Sequence, residues 1–176
     1  MFGWICIVVT PVEARDSFTI FKTLGSPVEG LSGVSTNGDI ASVVGDDNAI
    51  YSLVYLTGNG VDSTNDQGIV RVAPGGPVEL IARKGQKVGG KTILQINDPP
   101  VVDSAGNVLF QVYLPSSPFS RIAYIHGKAG KLKIIAGENR PGPGGVGTLT
   151  SLLFERMNAG GQLAFLGYTA TPQAMV

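Results

Sequence analysis

The sequence is poor in cysteine, histidine and charge. Its 176 residues include one cysteine, Cys6, and one histidine, His126, and only 15% of them are charged. One cysteine cannot form an intramolecular disulfide, and one histidine with one cysteine cannot supply a Cys/His zinc site. The 13 basic residues balance the 13 acidic ones. A neutral chain gives no electrostatic reason to expect a nucleic acid as partner.

Long apolar runs and helical periodicity are also missing. The apolar run at residues 2–9 is too short to span a bilayer, so no membrane span is predicted. No stretch carries the i, i+3, i+4, i+7 apolar pattern of a helix, and the nearest, residues 152–157, lies where a strand is expected. The 25 glycines and 11 prolines, scattered between short apolar runs, predict an all-β chain with many turns.

Residues 1–14 allow two interpretations. Ala14 stands at a possible signal-peptidase cleavage site, and the aliphatic Val12 stands at the position three residues before the cut. This pattern favours the end of a secretory signal peptide that lacks its basic start. The alternative is a first buried strand of the domain. The first interpretation predicts an extracytoplasmic protein, secreted or on the cell surface, whose domain comprises residues 15–176.

The chain repeats itself with a period of roughly 55 residues. Residues 18–30 return as residues 78–90 and, more loosely, as residues 132–145. A fixed period of this kind marks stacked or radially arranged units. The three copies cover about residues 18–77, 78–131 and 132–176, and we refer to them as copies one to three.

Each copy is predicted to hold four short antiparallel strands joined by tight turns, which is the content of a β-propeller blade. A propeller closes with about four to eight blades, so three copies predict a fragment of a larger propeller. A β-sandwich or an open array of meanders is the alternative. An incomplete array would leave strand edges exposed, which predicts self-association.

A recurring turn precedes the third predicted strand of each copy. Its residues are Asp103, Gly106 and Phe110 in copy two and Asn158, Gly161, Ala164 and Phe165 in copy three. Asn or Asp bonds nearby backbone, and glycine supplies a positive φ. We therefore predict that the motif is structural, with the aromatic residue entering the core as the strand begins. Copy one is degenerate here.

This motif, with the glycine- and proline-rich residues 137–145, resembles the bacterial tandem-repeat proteins named for an N-x-x-G-x-x-A-F motif. The resemblance covers nearly the whole chain after Asp16, and one copy matches in full. It implies an exported or surface-anchored protein of unassigned function with a propeller-like fold.

Three further patterns are candidates for sites. Asp62, Thr64 and Asp66 place oxygen donors at alternate positions, as a calcium loop does, although a solvated turn is the alternative. Residues 142–147 match G-x-G-x-x-G, but no helix is predicted to follow, so a phosphate site is not expected. His126 is predicted to be an exposed turn residue.

The sequence carries no recognisable catalytic constellation. The leading hypothesis is an exported, non-enzymatic β-repeat module for surface interaction or structure, with a protein or glycan partner. The alternatives are an extracytoplasmic propeller enzyme of the glycan hydrolase or lyase type, and a calcium-dependent adhesion module.

Overall fold

A computed structural model describes residues 6–10, 17–21, 24–116, 121–142 and 147–169. These ranges contain strands and turns but no helix, which confirms the predicted all-β class. The strands are β1 (Cys6–Thr10), β2 (Ser17–Phe21), β3 (Val34–Val44), β4 (Ile50–Gly58), β5 (Gln67–Val72), β6 (Val78–Arg83), β7 (Lys87–Val88), β8 (Lys91–Thr92), β9 (Gln95–Ile96), β10 (Val101–Val102), β11 (Val108–Leu114), β12 (Arg121–Gly127), β13 (Lys133–Gly137), β14 (Leu149–Met157) and β15 (Leu163–Thr169).

Three antiparallel sheets follow one another along the chain. The first sheet has the order β3-β4-β5-β6, the second has the order β10-β11-β12-β13 with β9 also pairing β11, and the third is the pair β14-β15. Two further antiparallel pairs are β1-β2 and β7-β8. Residues 152–157 belong to β14, so the weak helical pattern there gives way to a strand.

The sheets are out of phase with the sequence copies. The first sheet takes β3, β4 and β5 from copy one, but its last strand, β6, is the first segment of copy two. The second sheet likewise ends with β13 from copy three. The predicted hairpin turns at residues 74–76 and 127–130 connect these strands, and a hairpin places its two strands side by side in one sheet.

The sheets stack face to face. Along β4 and β11 successive side chains point to opposite faces, so one face of each strand lines the core between the first and second sheets. Phe110, Val112 and Ile125 of the second sheet pack there in one cluster with Tyr51 and Leu53 of the first. Since apolar burial is the main stabilising contribution to folding, this interface is the principal core of the described residues.

The second sheet is covered on its other face as well. Leu109 and Tyr124 pack there in a cluster with Leu149, Leu152 and other residues of the third sheet. The Tyr124 and Phe165 rings lie with their centroids 5.7 Å apart. The second sheet is therefore the middle layer of the stack.

The outer face of the first sheet carries a third cluster. Ile50, Val54 and Val70 lie there, and Val28 from the segment that precedes the sheet covers part of it. Val28 makes a parallel bridge to Val78 of β6, which holds that segment in place.

One turn recurs where the chain enters each sheet. Gly25, Gly85 and Asn139 all have positive φ, of 74°, 85° and 59°. Each donates its backbone N–H to a carbonyl in or just before the first strand of the sheet that the chain enters, at Thr36, Ile93 and Leu149 respectively. The same bonds in three places make these turns structurally equivalent, in agreement with the sequence repeat.

Candidate functional site

The predicted motif residues form hairpin turns of one type. In copy two, the backbone N–H of Asp103 donates to the carbonyl of Asn107 at 3.0 Å, and the N–H of Gly106 donates back to Asp103 at 2.9 Å. The Asp103 carboxylate accepts the Asn107 N–H at 2.8 Å. Gly106 has a φ of 76°, so the turn is of the three-residue kind that ends in a left-handed residue.

Copy three repeats this geometry with an amide in place of the carboxylate. Asn158 Oδ1 accepts the Gln162 N–H at 2.9 Å, and Gly161 has a φ of 75°. In copy one the first position is a glycine, and the nearby Asp47 accepts the Ala49 N–H instead, at 3.1 Å. The motif residues thus have local backbone partners, as the structural interpretation predicts.

The motif turns of copies two and three also touch each other. The Ser104 N–H donates to the Ala159 carbonyl at 2.9 Å, and the Ser104 hydroxyl donates to the same oxygen. Gly161 lies against Asp103, because a Cβ placed on it would stand 2.9 Å from the carboxylate. The turns therefore help to hold neighbouring sheets in register.

The aromatic residue of the motif packs toward the preceding sheet in both copies. Phe110 is fully buried against the first sheet, and Phe165 packs toward the second sheet. Ala164 is exposed on the outer face of the third sheet.

The calcium candidate is a turn whose oxygens already have partners. The Asp62 carboxylate accepts the backbone N–H and the hydroxyl of Thr64, at 2.8 and 2.6 Å. Asp66 forms an ion pair of 2.9 Å with Lys84. Calcium would have to displace this ammonium group from Asp66. Across the described residues, no group of three His, Cys, Asp or Glu side chains is placed to hold a metal ion.

Two other sequence expectations have different outcomes. His126 lies in β12 and is half-buried, so the predicted exposed turn position is wrong. Its register partner is Leu109 on the neighbouring strand, and its Nε2 atom is buried without a hydrogen bond to any described residue. Residues 143–146 of the glycine-rich segment lie outside the described residues, as do residues 1–5 and 11–14. The described part of residues 1–14 is strand β1, which pairs with β2.

A cleft with both polar and apolar walls opens between the second and third sheets. Its volume is about 450 Å³. The polar side chains that line it are those of Asp98, Gln111, Glu155 and Arg156. We call it the Asp98–Glu155 cleft. It is lined on its apolar side by Val101, Ile122 and Leu152.

Glu155 is unusual because it is a buried carboxyl group on the half-exposed strand β14. It is only 8% exposed, and β14 shifts register against β15 between Leu153 and Glu155. Such a bulge re-aims the side chains that follow it. Burial raises the pKa of Glu155, and the neighbouring Asp98 charge adds to this effect. Glu155 therefore holds a proton more tightly than an ordinary glutamate does.

A tyrosine hydroxyl lies beside this carboxyl group. Tyr124 is fully buried, and Gln111 is its direct partner in the register of β11 and β12. Burial raises the pKa of Tyr124 to about 12, with Gln111 and Glu155 also influencing its hydroxyl. That hydroxyl has no well-formed hydrogen bond to a described residue. A buried polar group in this state is a candidate to meet a ligand or water.

The cleft thus presents two carboxyl groups, an amide and a guanidinium group against an apolar wall, and the buried Tyr124 hydroxyl lies beside Glu155. This set can accept and donate hydrogen bonds to a polar ligand, and a carboxyl group with a raised pKa beside a second carboxylate can also transfer a proton. Asp98 and Glu155 were not predicted as site residues from the sequence. The available indication was the single acidic residue within the apolar pattern of residues 149–157.

No helix in the described ranges is both long and apolar enough to cross a membrane. This agrees with the absence of a predicted span.

The comparisons with known proteins give a family but no function. No curated protein and no solved structure matches the chain. The model of a family of unknown function, DUF7453, matches residues 13–175, which include all three sheets and the Asp98–Glu155 cleft. The chain therefore belongs to the DUF7453 family.

Proposed function

We propose that this chain is a non-enzymatic binding module of an exported β-repeat protein and that the Asp98–Glu155 cleft is its ligand site. The observation that carries the proposal is the buried Glu155 carboxyl, which lies at an open cleft beside a tyrosine hydroxyl without a well-formed hydrogen bond. Burying such groups costs free energy unless they find partners, and a bound ligand would supply them.

The ligand chemistry that fits is a hydroxyl-rich, uncharged molecule such as a neutral glycan. Sugar hydroxyls can exchange hydrogen bonds with the side chains of Asp98, Gln111 and Glu155, while a sugar ring can lie on the apolar wall. An exported repeat protein that presents such a cleft would act in surface interaction, in line with the resemblance to the N-x-x-G-x-x-A-F proteins.

The propeller-like arrangement belongs to the same proposal. It is supported by the face-to-face sheets and by β10, which contacts both β3 and β14. The entering strands of three successive sheets are thus neighbours, as the inner strands of propeller blades are. A crystal structure of the complete gene product would test closure, because an open stack of sheets would contradict it.

The binding proposal is tested with a panel of soluble neutral oligosaccharides, measured by calorimetry and by NMR shifts. We expect at least one to bind, and Glu155→Gln to lower its affinity about tenfold, because the amide group cannot reproduce the buried hydrogen bond that the carboxyl group makes to the ligand. Glu29→Gln removes an exposed carboxylate far along the chain and should leave the affinity unchanged. Binding that is equally strong in Glu155→Gln would contradict the site.

A second candidate, a glycan hydrolase, is favoured by the raised pKa of Glu155 beside the Asp98 carboxyl group. Such a pair can act as general acid and general base on a glycosidic bond. The discriminating measurement is hydrolysis of any oligosaccharide that binds. If Glu155→Gln still binds but loses turnover at least about a hundredfold, the enzyme is supported, whereas wild-type binding without turnover supports the binding module.

A further inference from the structure

A second cavity carries an excess of positive charge. It lies beside β8, at the start of β12 and at the turn after β13, with a volume of about 160 Å³. Lys91, Arg121 and Arg140 line it, and Glu138 is the one carboxylate among its lining residues. A local excess of cations is notable in a chain whose formal net charge is zero.

Among the described residues, the cations of this cavity have no ion-pair partner. Arg121 Nε is buried without a hydrogen bond to any described residue. Glu138 forms no ion pair with them in the described ranges, and its Oε2 accepts the Ile122 N–H at 3.2 Å. A buried guanidinium N–H without an acceptor costs free energy that a bound anion would recover.

The first sheet shows that the turn itself needs no such charge. In its equivalent turn, Gln86 occupies the position of Arg140. The backbone carbonyl of Gln86 accepts the Ile93 N–H, as the backbone carbonyl of Arg140 accepts the Leu149 N–H. There the nearby Lys84 is paired with Asp66 at 2.9 Å. The cationic cavity is therefore not a requirement of this turn.

The turn that carries Arg140 is fixed in place. Its backbone bonds run from Glu138 to Ile122 at 3.0 Å, from Asn139 to Leu149 at 2.7 Å and from Leu149 back to Arg140 at 2.9 Å. Gly137 leaves room for the Arg140 side chain, since a Cβ there would stand 3.1 Å from Arg140 Cδ. A pre-organised site loses less conformational entropy on binding.

We propose that this cavity is an oxyanion site that takes a phosphate, sulfate or carboxylate group. Guanidinium groups match the geometry of these anions through paired N–H donors, and Lys91 adds a mobile point charge. The site shares Ile122 with the Asp98–Glu155 cleft, but its charged side chains do not line that cleft, so the site stands whether or not the proposed glycan binding holds.

The test is a titration of the folded chain with inorganic phosphate at constant ionic strength, followed by the NMR signal of Arg121 Nε–H. We expect this signal to shift in a saturable way. Arg140→Gln and Lys91→Gln should each lower the phosphate affinity about tenfold. Lys131→Gln removes an exposed lysine that does not line the cavity and should leave the affinity unchanged.

The other outcomes are equally informative. An unchanged Arg121 signal, or an equal loss of affinity in Lys131→Gln and Arg140→Gln, would overturn the site, since the second result indicates diffuse attraction to charge. A parallel titration with a sulfated oligosaccharide identifies the source of the anion. Tighter binding than phosphate, with the same sensitivity to Arg140→Gln, indicates a polymer-borne group, and equal binding indicates a free ion.

Discussion

At the residue scale, Glu155 is expected to make stability depend on pH. Its raised pKa means that the folded state keeps a proton at pH values where the unfolded chain has released it. The contribution of Glu155 to the free energy of unfolding is therefore fully present below the ordinary glutamate pKa and is lost as the pH rises through the raised folded pKa.

Glu155→Gln removes this titration, so its stability relative to wild type should improve as the pH rises from 4 to 8. Urea unfolding across this range measures the effect. Glu29→Gln, at an exposed site, should follow the wild-type profile. If the difference in the free energy of unfolding between wild type and Glu155→Gln stays constant with pH, the effect of burial on the Glu155 pKa is contradicted.

Gly161 is expected to tolerate no side chain. Its φ is 75°, and a Cβ would lie 2.9 Å from the Asp103 carboxylate. Gly161→Ala should lower the free energy of unfolding by about 1–3 kcal/mol. The adjacent Gly160 is the control, because its φ is not positive and a Cβ there meets Asn158 Oδ1 at 3.4 Å. Thermal unfolding of both variants checks the difference, and equal losses would contradict it.

Residue roles were only partly predictable from the sequence. The structural role of Asp103 and Asn158 follows from local chemistry, since their side chains bond backbone four residues on. Glu155 was missed because its burial results from a register shift in β14, and a two-residue period cannot reveal a bulge. The burial of His126 was missed because it depends on which neighbours cover β12.

At the scale of elements, the motif hairpin of copy two should depend on Asp103. Burial alone would raise its pKa, but the hydrogen bonds from Asn107 outweigh this and hold the pKa below the ordinary value. Its contribution to stability is therefore present above the ordinary aspartate pKa and is lost as the pH falls toward the folded pKa.

Asp103→Ala should lower the free energy of unfolding by about 1–2 kcal/mol at neutral pH, because it leaves the Asn107 N–H without its acceptor. Asp103→Asn should lose less, since Asn158 performs this role in copy three. The asparagine variant should also lack this acid-dependent contribution to stability. Chemical unfolding at pH 3 and pH 7 would decide, and a loss in Asp103→Asn as large as that in Asp103→Ala would contradict this account.

Strand positions were predicted better than sheet membership. The period of the repeat gives the spacing between equivalent strands, but it does not define where one sheet ends and the next begins. The repeat therefore could not show that β6 completes the first sheet. The second sheet adds a local exception. Pro99 and Pro100 cannot donate backbone hydrogen bonds, and its edge strand is broken there into β9 and β10.

At the scale of the whole molecule, the middle sheet should control the stability of the stack. Phe110 is fully buried between the first and second sheets, so Phe110→Ala should cost about 3–5 kcal/mol. Phe165 is half-buried on the third sheet, and Phe165→Ala should cost less. Native-state hydrogen exchange should show all three sheets weakened in the first variant and mainly the third sheet in the second. The same pattern in both would contradict nearest-neighbour coupling.

Self-association stays a prediction, and strand β15 of the third sheet is the surface through which we expect it. Leu166 and Tyr168 of β15 are 53% and 58% exposed, and β15 pairs only with β14 among the described strands. Sedimentation velocity should detect association that rises with protein concentration, and Leu166→Lys should weaken it. Leu94→Lys changes another exposed leucine and should not. A wild-type chain that stays monomeric would contradict the prediction.

The phase difference between copies and sheets has an evolutionary consequence. The last strand of each four-strand path, β6 or β13, comes from the following copy. A recombination event that inserts or deletes one whole copy would therefore replace one such strand by an equivalent strand. The equivalent entry turns at Gly25, Gly85 and Asn139 would also join at the new junction. The gene can therefore lengthen or shorten by whole copies while each internal sheet is still completed by its neighbour.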